Sequence, residues 1–209
     1  MRIGSEDVLI VVDLQNDFCP GGALEVREGD AVIEPIHRVA VQFEHIVLTQ
    51  DWHPANHTSF ATMHPGKIPY DTIELGYGAQ TLWPVHCVQG SCGAEFHPAL
   101  SLPRAELIVR KGFDAAIDSY SAFFENDRST PTGLAGYLRE RGLRRCFLVG
   151  LAYDYCVGYS ALDARRLGFE AVVVRDACRA IDLNGSAAAI EAEFVATEVA
   201  LIESSELPP

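Results

Sequence analysis

The chain has 209 residues, 48% of them hydrophobic, and a formal net charge of −13. That length and apolar content suit one globular domain over 1–209 with a full core. The acidity argues against a nucleic-acid partner or an anionic membrane surface, since both need clustered Lys and Arg. The opening segment Met1–Asp7 lacks the pattern of a secretory signal, and no apolar run approaches the ~20 residues of a membrane span. A cytoplasmic location is the expectation. The six cysteines (Cys19, Cys87, Cys92, Cys146, Cys156, Cys178) contain no CxxC pair. They are expected to be mostly small buried groups rather than disulfides or a structural zinc ribbon.

In chain order, Val8–Leu14 (VLIVVDL) reads as a buried strand and Asp30–Phe43 as a helix, with Val32, Ile36, Val39 and Phe43 on one side. Ile46–Gln50 is a second strand, 51–105 is rich in loops, and Leu107–Lys111 is a third strand. Pro131–Arg141 predicts a helix stopped by Gly142, Cys146–Leu151 a fourth strand, and Asp154–Leu167 a helix stopped by Gly168. Ala171–Arg175, Gly185–Thr197 and Val199–Glu203 complete the pattern as strand, helix and short strand. Continuous Val/Ile/Leu strands alternating with helices predict a three-layer α/β/α domain with a mainly parallel, Rossmann-like sheet.

Ligands of such sheets bind beyond the carboxyl ends of the strands. Asp13, Asp51, Lys111 and Cys156 all fall at strand ends in this reading. Cys156 lies in GLAYDYCV (150–157), a strand-to-helix transition. A thiol there is expected to have a lowered pKa, from the helix dipole and from an ammonium such as Lys111. The amides of Ala152 and Cys156 at the same turn are candidates to hold an oxyanion. Without a site around it, Cys156 would be one more buried small residue. Asp13 is a candidate proton acceptor for the thiol, or a structural partner of Lys111; the two readings are compatible.

In the DWHP segment, Asp51 and His53 point the same way if the chain is extended, which suits two ligands of one metal. His86 is a third candidate ligand, with His57 and His64 in reserve. Two imidazoles and a carboxylate suit a divalent ion, zinc first, with iron or manganese also suited. Phe18, Trp83 and Tyr120 are candidates for an aromatic pocket, although such residues are more often core. Tyr153 and Tyr155 flank the cysteine turn as packing residues. A thiol-redox role is disfavoured, because no second cysteine lies close to Cys156 in sequence.

Six segments together resemble the isochorismatase-like cysteine hydrolases, and among them the nicotinamidase branch. They are VVDLQNDFCPGGAL (11–24), LTQDWHPANHTSFA (48–61), LWPVHCVQGSCGAEFH (82–97), VRKG (109–112), DSYSAFF (118–124) and VGLAYDYCV (149–157). The resemblance implies a catalytic triad of Asp13, Lys111 and Cys156, and one divalent metal on Asp51, His53 and His86. It implies a cis peptide before Ala152, and an oxyanion hole made by the Ala152 and Cys156 amides. It also implies a pyridine ring lying among Phe18, Trp83 and Tyr120. The implied reaction is hydrolysis of nicotinamide, or a related pyridine carboxamide, to the acid and ammonia through a thioester, in NAD salvage. The neighbouring alternative is an amidase acting on a ureido or carbamoyl compound. A homo-oligomer is a further expectation. One departure is Tyr153, where the family usually carries Thr; the larger ring is expected to alter local packing or the pocket rim. Cys92 is a milder difference.

Overall fold

The computed structural model describes residues 1–207. Its centre is a six-stranded sheet in the order β5-β2-β1-β6-β7-β8. The strands are β1 (Asp7–Val12), β2 (His45–Asp51), β5 (Leu107–Lys111), β6 (Arg145–Leu151), β7 (Glu170–Arg179) and β8 (Ala200–Ile202), and every pairing among them is parallel. A separate antiparallel hairpin joins β3 (Thr72–Leu75) to β4 (Gly78–Thr81).

β1 is buried along its whole length, which is why Val8–Val12 are all apolar and why its one charged residue, Asp7, is paired with Arg145. Its alternate residues feed two cores. Leu9 and Val11 pack with Ile36 and Val39 of α1 (Ile33–Ala40). Val8, Ile10 and Val12 pack on the other face with residues of α2 (Leu134–Glu140), α3 (Gly158–Arg166) and α4 (Ser186–Thr197). The three-layer expectation is met. No helix among the described residues is long and apolar enough to cross a membrane.

Several boundaries differ from the sequence reading. β1 stops at Val12, because Asp13 takes a left-handed backbone (φ 46°) that ends the strand. The helix expected over 30–43 is a 3-10 turn at Gly29–Val32 followed by the shorter α1. Gly133, at φ 97°, starts α2 later than Pro131. The β3–β4 hairpin inside the 51–105 stretch has four-residue, partly exposed strands (TIEL and GAQT), too short to carry an apolar run that announces them. β7 runs on to Arg179 through a bulge, with Leu148 opposite Val173 but Gly150 opposite Cys178. At Gly150, beside Val12, a Cβ would sit 2.2 Å from the Val12 carbonyl oxygen. Only glycine allows β1 and β6 to approach this closely.

Candidate active site

Parallel pairing lines up the ends of β2 and β5, so that Asp51 sits opposite Lys111. Asp13 follows β1 on the neighbouring strand. Beyond β6, the Leu151–Ala152 peptide is cis, and a π-helical turn, Tyr153–Val157, carries Cys156 into α3. Four groups remote in sequence therefore meet at one sheet edge. Lys111 Nζ lies 2.8 Å from Asp13 Oδ2 and 2.5 Å from Asp51 Oδ1, donates to the Ser119 carbonyl at 2.9 Å, and approaches Cys156 Sγ at 3.4 Å. All four side chains are buried.

Electrostatics separates the two carboxylates. Burial works against charge at both. At Asp51 the Lys111 ammonium and His53 outweigh it and hold the group well below the usual carboxylate range. At Asp13 burial prevails over the Lys111 attraction, and the pKa is raised. Thr49 Oγ1 donates to Asp13 Oδ1 at 2.6 Å and so favours the carboxylate. Lys111 also loses hydration, yet Asp13, Asp51 and Cys156 keep its ammonium bound to its proton well above the normal range. One acid held charged beside one with a raised pKa is the pattern of a site with divided acid–base roles.

Cys156 departs from the sequence expectation. Its thiol is pushed up, not down, because burial outweighs the attraction of Lys111, and the nearby Asp13 and Asp51 add to the rise. The turn at the cysteine is a π-helical one rather than a regular helix start. The raised pKa favours the protonated thiol.

Beside these groups lie the histidines. Backbone bonds from His53 N–H to the Cys87 carbonyl (3.0 Å) and from Gln89 N–H to the His53 carbonyl (2.8 Å) tie the 53 and 86–89 segments together. His53 Nδ1 bonds the Gly112 carbonyl and His86 Nδ1 the Pro84 carbonyl, each at 2.8 Å. Both Nδ1 atoms therefore carry a proton, and both Nε2 atoms face Asp51 Oδ2, at 3.4 and 3.7 Å. His53 Nε2 is buried with no hydrogen-bond partner. One ligand atom each from Asp51, His53 and His86 lies within 4.8 Å of the others. A buried Nε2 without a hydrogen-bond partner, on a ring fixed from behind through Nδ1–H, is the usual arrangement of a metal-binding imidazole. The donor set fits a divalent ion.

His57 stands behind this group. Its ring is 4.1 Å from that of His53, but its Nδ1 faces Ser59 Oγ (2.7 Å) and its Nε2 the Ile117 carbonyl (3.1 Å). Burial and the neighbouring His53 depress its pKa to about 4. His64 bonds the Thr58 carbonyl and takes no part in the cluster. Phe60, unremarked in the sequence, packs edge-on against His53, His57 and His86.

Trp83 Nε1 donates to the Tyr120 hydroxyl at 3.2 Å, and Phe18 packs against His86. Phe18 and Trp83 share one buried cluster, with Tyr120 and Tyr155 against it. Tyr155 contributes a fourth ring, 4.9 Å from Trp83 and 5.4 Å from Tyr120. Tyr153 points elsewhere. Its hydroxyl donates to Glu191 (3.1 Å) and its ring meets Phe194 of α4, so the large residue at this position fills a helix contact and not the pocket rim. All six cysteines are free.

Two further residues were not singled out from the sequence. Asp154 accepts from the Ile181 and Asp182 amides (3.0 and 2.7 Å) and from Ser186 Oγ (2.5 Å), which staples the cysteine turn to the start of α4. Gln15 bonds both backbone groups of Asp51.

A parallel sheet with a thiol, an amine and two acids at its carboxyl edge defines a class, and the whole-chain comparison agrees. Residues 7–204 match the isochorismatase domain, and the chain belongs to that family. A curated nicotinamidase of Acinetobacter baylyi is 54% identical over 99% of this chain and 97% of its own. Among solved structures, an Acinetobacter baumanii nicotinamidase/pyrazinamidase superposes with a TM-score of 0.97 at 53% identity, covering 98% of this chain and 99% of that one. An L. infantum protein solved in complex with nicotinate gives 0.87 at 42% identity, covering 100% and 98%. A Pyrococcus horikoshii pyrazinamidase solved in complex with zinc gives 0.78 at 36% identity, covering 95% and 99%.

Proposed function

We propose that this chain is a nicotinamidase that hydrolyses nicotinamide to nicotinate and ammonia, with Cys156 as nucleophile. The observation that carries the reading is the convergence on Lys111 Nζ of Cys156 Sγ (3.4 Å), Asp13 (2.8 Å) and Asp51 (2.5 Å). The kinship with nicotinamidases supports the substrate, and the relative holding nicotinate supports a pyridine acid as product. Return of nicotinate to pyridine nucleotide synthesis is the metabolic setting of this reading.

With its pKa raised, the thiol gives up its proton as Sγ attacks the carboxamide carbon, and Asp13, whose own pKa is raised, accepts it. The Ala152 and Cys156 amides receive the oxyanion; one such donor contributes ~3 kcal/mol. The C–N bond breaks as Asp13 returns its proton to the departing nitrogen, which leaves as ammonia, and an acyl thioester remains. Water then attacks the thioester carbon and Asp13 takes its proton. The C–S bond breaks, Sγ regains a proton and the acid is released. Lys111 stays charged throughout and holds Asp13 beside the thiol. Asp51, His53 and His86 hold one divalent ion, and zinc is our choice from the donor set and the zinc-bound relative. When bound, that ion supplies a Lewis-acid anchor for the substrate's ring nitrogen. Phe18, Trp83 and Tyr120 then face the ring.

Cys156→Ala tests the reading. It should abolish ammonia release from nicotinamide while metal content stays at the wild-type level. Turnover by the alanine variant would overturn the thiol mechanism. A wild-type enzyme that cleaves a carbamoyl compound and ignores nicotinamide would overturn the substrate.

A further inference from the structure

β1 and β2 pair in register only as far as Val11 opposite Leu48. Past Val12 the chain of β1 turns away through the left-handed Asp13. β2 continues to Asp51, so the Asp51 N–H and C=O face the side that β1 has left. There the side chain of Gln15, fully buried, takes the place of the missing strand. Its Oε1 accepts from Asp51 N–H at 2.8 Å, and its Nε2 donates to the Asp51 carbonyl at 2.8 Å. The same Nε2 donates to the Ala94 carbonyl at 2.9 Å, which also receives Gln50 Nε2 at 2.8 Å. One primary amide thus satisfies both main-chain groups of Asp51 and both protons of its own nitrogen.

We infer that Gln15 is the positioning residue of the metal and ammonium site, acting through the main chain of Asp51. The inference rests on the metal reading of Asp51, His53 and His86 given above. Asp51 must aim Oδ1 at Lys111 and Oδ2 at the two imidazoles at once. A strand end gripped on only one side would let that carboxylate rotate out of the shared geometry. Gln15 grips the second side. No shorter or charged residue serves. Asn lacks one methylene of reach, and Glu would set a carboxylate oxygen against two carbonyls.

The test is zinc affinity of the full chain, read by competition with a chromophoric chelator, in Gln15→Met and Gln15→Asn. Both should bind zinc at least about 10-fold more weakly while keeping the wild-type far-UV spectrum. Ile10→Val, a core change in β1 that lowers thermal stability without touching Asp51, should stay within about 2-fold of wild type. Gln15 variants that fold and bind zinc like Ile10→Val overturn the inference. Hydrogen exchange in the unaltered protein covers the case where neither variant folds. The Asp51 amide should exchange as slowly as the interior amides of β2 with metal removed, and exchange at loop rates overturns the inference. Asp51→Asn separates the two claims. If it binds zinc normally, the metal reading fails; if it loses zinc while the Gln15 variants keep it, only the role of Gln15 fails.

Discussion

Asp13 carries the acid–base argument, and its surroundings make a prediction with a definite sign. The Thr49 hydroxyl donates to its carboxylate and so lowers a pKa that burial raises. Thr49→Val keeps the shape and removes the donor. Asp13 should then hold its proton to higher pH, and the acid limb of the kcat/KM profile should move toward neutrality. An unmoved limb would mean that another group sets it. The candidate residues were legible from sequence because their types are costly in a core. A Lys, two Asp and two His inside apolar surroundings need a reason. The direction of the Cys156 shift was not legible. Dipole and ammonium argue for a thiolate, but the depth of burial, which reverses the outcome, depends on packing that no local motif encodes.

At the scale of elements, the cysteine turn is fixed from outside. Asp154 accepts three hydrogen bonds from residues 181–186, and its neighbour Tyr153 locks onto Glu191 of α4. Asp154→Ala would leave two amides and a hydroxyl without their acceptor. It should lower kcat about 10-fold or more, because placing the oxyanion donors depends on this turn, while KM changes little. Parallel steady-state kinetics and thiol counting on the folded variant would check this; a kcat close to wild type would release Asp154 from that role. The regular elements were readable from apolar runs, and β5 was placed to the residue. What escaped had two causes. The π-helical turn answers to a distant partner, the 181–186 segment, and the β3–β4 hairpin, though local, has strands too short and too exposed to show an apolar run. For Tyr153 the sequence left local packing and the pocket rim both open, and α4 lying beside it decides for packing.

For the molecule as a whole, the three-layer fold follows from the pattern of strands and helices, and the family match spans almost all of it. Metal binding should register globally. An ion that binds only the folded chain stabilises it by ~2.7 kcal/mol at a free concentration 100-fold above Kd. For a domain of this size that corresponds to about 5–10 °C in Tm. Chelation should lower Tm by this order and zinc should restore it, as calorimetry would read. His53→Ala should abolish the difference between the two conditions.

The carboxylate of Asp51 belongs to two chemistries, since one oxygen faces the ammonium of Lys111 and the other faces the imidazoles of His53 and His86. Such double membership constrains how this scaffold can be altered. A designer who swaps the ligand set for a different ion, or deletes it to obtain an ion-free hydrolase, disturbs the balance of charge that keeps Asp13 ready to shuttle protons. Mutational drift in either half is therefore answerable to the other, and substitutions here should be accepted in linked sets rather than singly.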